Sequence, residues 1–362
     1  MSTRTNLWLA IRGKRTNFTQ LDSGNNSPEQ DSMADSPKQS MTVVPSPIHS
    51  DISASNIERG TSSNNLSDEQ KRIMRRRKIT FAIRAALIGS IGGLLLGYDL
   101  GVMSGALPII TEKFAMSTYQ QELVTSLMLI GCVFGACIGG IICDRIGRKK
   151  TVYLVCLIFL TGSVIMTLAN SINTLYIGRI VIGFGVSISA IVDISYLSEI
   201  SPPEFRGAVV GTNELMITVG ILLAFFIDYC FMDLPLGWRY MFLFPVILVF
   251  LWGILMLTMP ESPKWLLVKG KTEEALKVFK MTCGGSETES IKEFQHANAS
   301  INLSRQANSF SLFHIICNQW RLSILVSFSL MILQQFSGHA PVITYAPEIF
   351  ARTGTYVRTH IK

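Results

Sequence analysis

Residues 139–150 read GGIICDRIGRKK, a short turn that carries four cations and lies between two long apolar stretches, residues 123–142 and 151–169. Apolar stretches joined by a cationic turn are typical of transmembrane helices, because lysine and arginine remain on the cytoplasmic side of a membrane. The glycines allow the two helices to pack closely. This segment therefore predicts a membrane protein and places the turn in the cytoplasm.

The composition supports the same prediction. Hydrophobic residues make up 48% of the chain and charged residues only 16%, with a mean hydropathy of +0.36. Several apolar stretches are long enough to cross roughly 30 Å of hydrocarbon as helices, so we predict an all-α membrane protein with about seven spans. The stretches are residues 81–110, 122–143, 151–169, 174–197, 208–231, 239–259 and 322–350.

Four regions follow from this pattern. Residues 1–78 are rich in Ser, Asn and Pro, show no apolar periodicity, and are predicted to form a disordered cytosolic tail without a signal peptide. Residues 79–259 are predicted to form a six-helix transmembrane bundle. Residues 260–320 are predicted to form a cytosolic linker with short helices, and residues 321–362 a seventh span with a short tail.

The distribution of charge predicts the topology. The Lys71–Lys78 run, the turn at 139–150 and the lysine-rich segment after Pro260 alternate with connections that carry few charges. The N-terminus is therefore expected in the cytoplasm. This asymmetry accounts for the net charge of +7, so the basic balance does not indicate nucleic-acid binding. The seven cysteines form no CxxC pair, and we expect no metal site and no cofactor.

Two ionisable residues lie inside apolar spans. Asp99 is near the middle of the first span and Arg179 is inside the fourth. A charge at membrane depth costs about 2.5–3.5 kcal/mol on insertion scales, so the two side chains are expected to pair. Two interpretations remain open: a static salt bridge between helices, or a carboxylate whose proton exchange is coupled to solute movement.

Seven short motifs in this order resemble the sugar porters of the major facilitator superfamily, which include facilitated hexose transporters and proton-coupled sugar symporters. They are residues 97–99 (GYD), 144–149 (DRIGRK), 179–183 (RIVIG), 199–207 (EISPPEFRG), 237–239 (GWR), 260–266 (PESPKWL) and 334–338 (QQFSG).

The resemblance implies a membrane transporter and not an enzyme. It implies an N-terminal six-helix bundle, an intracellular helical domain and a substrate that is a monosaccharide, a hexose such as glucose, moved by alternating access. The family's commonest location is the plasma membrane. Besides sugar and lipid, protons are an expected partner if Asp99 and Arg179 couple transport to a proton gradient.

Candidate substrate-binding residues follow from the same motifs. Gln334 and Gln335 offer both donors and acceptors to sugar hydroxyls. Glu214 stands where the family commonly has Gln, and it could bond a hydroxyl or carry a proton. Tyr345 matches an aromatic residue near the outer gate, whereas His339-Ala340 replaces the apolar-Asn pair that the family usually shows. The motifs therefore define the family more closely than the substrate.

A conformational latch is expected at the cytoplasmic ends of the spans. Glu199 and Arg206 flank Pro202-Pro203, so these opposite charges can meet each other or Arg148. Asp144 and Arg145 complete the candidate cluster. The resemblance implies that the loop of Asp144 contacts the second half of the transporter.

A sugar porter has twelve helices, whereas this chain ends shortly after its seventh span, so we expect a truncated or incomplete form. Two alternatives to transport are a non-transporting sugar sensor and a regulatory half-transporter. A seven-helix receptor fits the span count, but receptors of that class present the N-terminus outside, opposite to the orientation predicted here.

Overall fold

The computed structural model describes residues 68–307, 321–346 and 349, and every regular element in these ranges is an α-helix. Seven segments of this described part are long and apolar enough to cross a membrane, which confirms the predicted all-α membrane fold. The helices are α1 (Asp68–Gly89), α2 (Ile91–Phe114), α3 (Thr118–Ile146), α4 (Arg148–Thr167), α5 (Ile172–Ile200), α6 (Arg206–Phe231), α7 (Gly237–Leu257), α8 (Pro263–Val268), α9 (Thr272–Thr282), α10 (Glu287–Ala307), α11 (Arg321–Phe336) and α12 (His339–Thr344).

The first span consists of two helices, α1 and α2, which meet at the buried Ser90. Helix α1 begins at Asp68, so the predicted tail boundary at residue 78 is wrong by about ten residues. Two features stabilise these extra turns: acidic residues occupy the first turn, and the amine of Lys78 forms ion pairs with Glu204 and Glu289 at 2.9 and 3.1 Å. The rest of the predicted tail lies outside the described residues.

Glycines bring the backbones of the spans into contact. A Cβ at Gly97 of α2 would lie 1.9 Å from the carbonyl oxygen of Ile217 in α6. A Cβ at Gly131 of α3 would lie 2.2 Å from the carbonyl oxygen of Ile180 in α5. Neither position accepts a side chain unless the helices separate, so α2 packs closely against α6 and α3 packs closely against α5.

The linker after α7 is more helical than the sequence predicts. Helix α9 starts at Thr272, and Lys271 is its N-cap. Gly284 and Gly285 follow α9 with φ angles of +67° and +94°, a backbone conformation that glycine adopts readily at the end of a helix. The polar stretch that follows forms α10.

Candidate functional site

A buried ion pair lies inside the bundle. Nη1 of Arg179, in α5, donates to Oδ1 of Asp99, in α2, at 2.8 Å, and the two side chains are 3% and 8% exposed. Nε of Arg179 also donates to the carbonyl oxygen of Val124 in α3 at 3.2 Å. The structure therefore brings together the two residues that the sequence singles out, and their contact joins three helices.

Asp99 keeps one carboxylate oxygen available. Within the described residues, its buried Oδ2 has no hydrogen-bond partner. A buried carboxylate oxygen without a donor is energetically unfavourable, and binding a proton or a hydroxyl group would relieve that cost. The pair therefore joins helices, and proton exchange at Asp99 stays a prediction.

The four predicted substrate-binding residues lie on α6, on α11 and just after α12. Glu214 is exposed on α6, and Gln334 and Gln335 are exposed on α11. Tyr345 packs against the bundle core, with its hydroxyl 3.3 Å from the hydroxyl of Thr125 in α3. Among the described residues, no hydrogen bond joins Glu214 to either glutamine, so their contact with a sugar stays a prediction.

A charged cluster connects α3, α4, α5 and α8 at one end of the bundle. The guanidinium of Arg148 contacts both carboxylate oxygens of Glu199, with Nε–Oε2 at 2.9 Å and Nη2–Oε1 at 3.0 Å. Its Nη1 lies 3.1 Å from Oδ1 of Asp144, and the hydroxyl of Ser262 donates to Glu199. Of these contacts, Nη2–Oε1 has the geometry of a hydrogen bond, and a hydrogen bond between charged groups is stronger than one between neutral groups.

Two predicted members of the latch form no ion pair with this cluster in the described part of the chain. Arg206 forms no ion pair with Glu199 in the described residues, where Arg148 and Ser262 contact both oxygens of that carboxylate. Nε of Arg206 is buried without a hydrogen-bond partner among the described residues. Arg145 is exposed and forms no ion pair within that part of the chain. The ion pairs among the predicted latch residues are therefore those of Arg148 with Glu199 and Asp144, and their role as a latch stays a prediction.

Glu261 completes the cluster, and our sequence analysis gave it no role. Its Oε1 accepts hydrogen bonds from the backbone N–H groups of Lys149, at 3.0 Å, and Ser262, at 2.9 Å. The N-cap of α4 is Gly147, which has no side chain, so Glu261 supplies the missing acceptor at this helix N-terminus. Its place in the PESPKWL motif is the signal that could have identified it.

Two further buried carboxylates lie in the spans. Asp193 in α5 accepts from the hydroxyl of Ser189 at 2.8 Å, and Asp228 in α6 accepts from the N–H of Gly105 at 3.1 Å. Each has one buried oxygen without a partner and no ion pair in the described part of the chain. An acid inside an apolar run is the signal that identified Asp99, and it applies equally to both.

Comparison with known proteins gives a consistent result. A family model described as "Sugar (and other) transporter" matches residues 85–357. The glucose transporter GlcP of Staphylococcus epidermidis is 39% identical over 272 residues, covering 74% of this chain and 58% of that protein. The human facilitated glucose transporter member 12 of solute carrier family 2 is 34% identical over 274 residues, covering 76% of this chain and 44% of that protein.

Solved structures agree with these matches. The proton:xylose symporter XylE bound to 6-bromo-6-deoxy-D-glucose superposes with a TM-score of 0.68 at 26% identity, covering 77% of this chain and 64% of that one. A partially occluded inward-open conformation of XylE from E. coli gives a TM-score of 0.65. The chain spans about half the length of the curated relatives that it matches.

Proposed function

The chain belongs to the sugar porter branch of the major facilitator superfamily, and on that premise we propose that it moves a monosaccharide across a membrane by alternating access. The family is one of transporters and not of enzymes. We propose that the bundle formed by α1 to α7 is one half of the transport pathway, that a hexose such as glucose is the substrate, and that the plasma membrane is the location.

The observation that carries this proposal is the buried ion pair of Asp99 and Arg179 inside a bundle that matches the sugar transporter model. In a carrier of two halves, the solute binds near the midplane between them. Exposed polar side chains on α6 and α11, Glu214 and the two glutamines, are available to face such a site. Their amide and carboxylate groups would satisfy sugar hydroxyls that have left water.

The cluster at the end of the bundle provides the conformational element. Arg148 and Glu199 join the start of α4 to the end of α5, and Ser262 connects both to α8. We propose that these contacts form in one state of the transport cycle and break in the other. Oδ2 of Asp99, which has no partner among the described residues, would bind a proton in one of these states and release it in the other. Sugar movement would then be coupled to a proton gradient.

Flux measurements test the transport proposal. We expect D-glucose counterflow in proteoliposomes that contain residues 1–346 joined to the remaining C-terminal segment of the Staphylococcus glucose transporter. The 362-residue chain alone is expected to insert but not to transport, because in the described residues α11 buries no side chain against the bundle. L-glucose is the control substrate.

Each outcome of this experiment is informative. Saturable flux by the chain alone would contradict the assignment of one half of a pathway and indicate assembly from two copies. Stereospecific glucose binding by the fusion without flux would favour the sugar sensor. Absence of both binding and flux, with a monodisperse fusion protein, would contradict sugar as the substrate.

The cytoplasmic orientation of the N-terminus is tested by epitope accessibility. One tag is placed at Ser50 and another after Gly270, in the exposed loop between α8 and α9. Both are expected to be stained only after cells are permeabilised, because the cationic connections that lie on the same side of the membrane as these tags face the cytoplasm. A tag after Asp233, in the connection between α6 and α7, is the matched control and should be stained in intact cells. The reverse pattern would overturn the orientation.

A further inference from the structure

An open cavity of about 870 Å³ lies between α1 and α9, outside the ion-paired clusters described above. Three arginines of α1 and two lysines of α9 line it, together with Ile73, Phe81 and Met281. The cations are Arg76, Arg77, Arg84, Lys277 and Lys280. None of the lining residues is acidic, so the cavity combines strong positive charge with apolar walls.

Ion pairing within the protein leaves most of this charge unused. Lys280 pairs with Glu287 at 2.8 Å, and this hydrogen bond and charge lower the pKa of the Glu287 carboxyl. Nη2 of Arg84 donates to the carbonyl oxygen of Thr258. Within the described part of the chain, Arg76, Arg77 and Lys277 have no carboxylate within ion-pair distance. Several close cations without a counter-charge repel one another, and an anion would relieve that repulsion.

The wall of the cavity is held in place by a close helix contact. A Cβ at Gly284, just after α9, would lie 2.4 Å from the carbonyl oxygen of Met74 in α1. On the other side of α1, the buried Lys78 pairs with Glu204 and with Glu289 of α10. The two sides of the cavity are therefore positioned by packing and ion pairs, independently of any ligand.

The position of the cavity identifies the kind of anion. Thr258, whose carbonyl bonds to Arg84, directly follows the end of α7, so the cavity lies at the level where the spans leave the membrane. Further along α1, the exposed side chain of Ile83 lies three residues after the lining Thr80, and that of Leu87 lies three residues after Arg84, so this surface continues into the span. A molecule with phosphate at one end and acyl chains at the other matches a cationic cavity that is followed by an apolar helix surface.

We propose that the cavity between α1 and α9 binds the headgroup of an anionic phospholipid from the leaflet at this end of the bundle. Arginine forks bind phosphate oxygens in bidentate geometry, and basic pockets at membrane interfaces bind phosphorylated inositol headgroups. Four of these five cations have no carboxylate partner in the described residues, which is more charge than a single phosphate neutralises, so a headgroup with several phosphates is the preferred ligand. Binding fastens the intracellular helix α9 to the first span.

Lipid binding by the purified 362-residue chain tests this inference. A fluorescent phosphatidylinositol bisphosphate is added to the protein in phosphatidylcholine nanodiscs, and the Arg76→Gln/Arg77→Gln variant is expected to lose roughly 10- to 30-fold in affinity. The matched control is Arg72→Gln/Arg75→Gln, which removes the same charge from exposed positions of the same helix outside the cavity, and it should lose about threefold or less.

Equal losses in both variants would show general electrostatic attraction and overturn the site. Equally tight binding of soluble inositol trisphosphate would show that the cavity takes phosphate without the lipid chains and overturn the lipid assignment. Preferential binding of a phosphorylated peptide that includes Ser46 would assign the cavity to the N-terminal segment instead. Both variants must retain the wild-type thermal midpoint in phosphatidylcholine alone, and Arg76→Lys/Arg77→Lys provides a charge-preserving rescue if they do not.

Discussion

Replacement of Asp99 by Asn in the fusion transporter is expected to abolish proton-driven sugar accumulation while sugar exchange remains measurable. Asn keeps the size of the side chain and can still accept a hydrogen bond from Arg179, but it cannot release a proton. Uptake of labelled glucose is measured with and without an imposed pH gradient. Asp233→Asn, an exposed acid in a connection between spans, is the control and should behave as wild type.

The same substitution leaves Arg179 as a buried cation without a counter-charge, which costs about 3–5 kcal/mol. Adding Arg179→Gln removes that charge as well, so the double variant should recover most of the thermal stability but not the proton coupling. If wild-type uptake does not respond to the pH gradient, Asp99 is a structural ion-pair residue and the protein transports sugar by facilitated diffusion. If only Asp193→Asn abolishes accumulation, the proton site belongs to Asp193.

Replacement of Arg148 by Met is expected to destabilise the bundle by about 3 kcal/mol, near the lower end for one-sided loss of a largely buried pair. The substitution removes both contacts to Glu199 and the contact to Asp144. The cluster lies beside Cys143, whose side chain is buried. The backbone carbonyl oxygen of Cys143 accepts a hydrogen bond from Nη1 of Arg148. Opening of this end of the bundle should therefore accelerate alkylation of Cys143, measured by mass spectrometry together with the thermal midpoint.

Arg145→Met is the matched control, because it removes the same charge three residues earlier from an exposed position without an ion pair in the described residues. It should leave both the alkylation rate and the thermal midpoint unchanged. Equal effects of the two substitutions would contradict the latch, since they would show a response to net charge and not to the contact with Glu199.

The sequence predicted well where a single segment carries the signal. The length of the apolar stretches identifies the spans. The cost of a charge at membrane depth predicts that Asp99 and Arg179 pair, and the structure shows this ion pair. Element boundaries were less predictable. Residues 68–78 read as a polar tail, yet they form helix because Lys78 pairs with acids 126 and 211 residues away. Contacts so distant in sequence leave no local pattern.

By itself, the sequence determined the membrane class, the number of spans and the family, because hydrophobic length and motif order are local properties of the chain. Only the tertiary structure decided which arginine meets Glu199, that Glu261 caps α4, and that α1 and α9 enclose a cationic cavity. These contacts depend on how distant helices pack. Arg145 and Arg148 have the same charge and similar neighbours, and only the path of the backbone through Gly147 points one of them at a carboxylate.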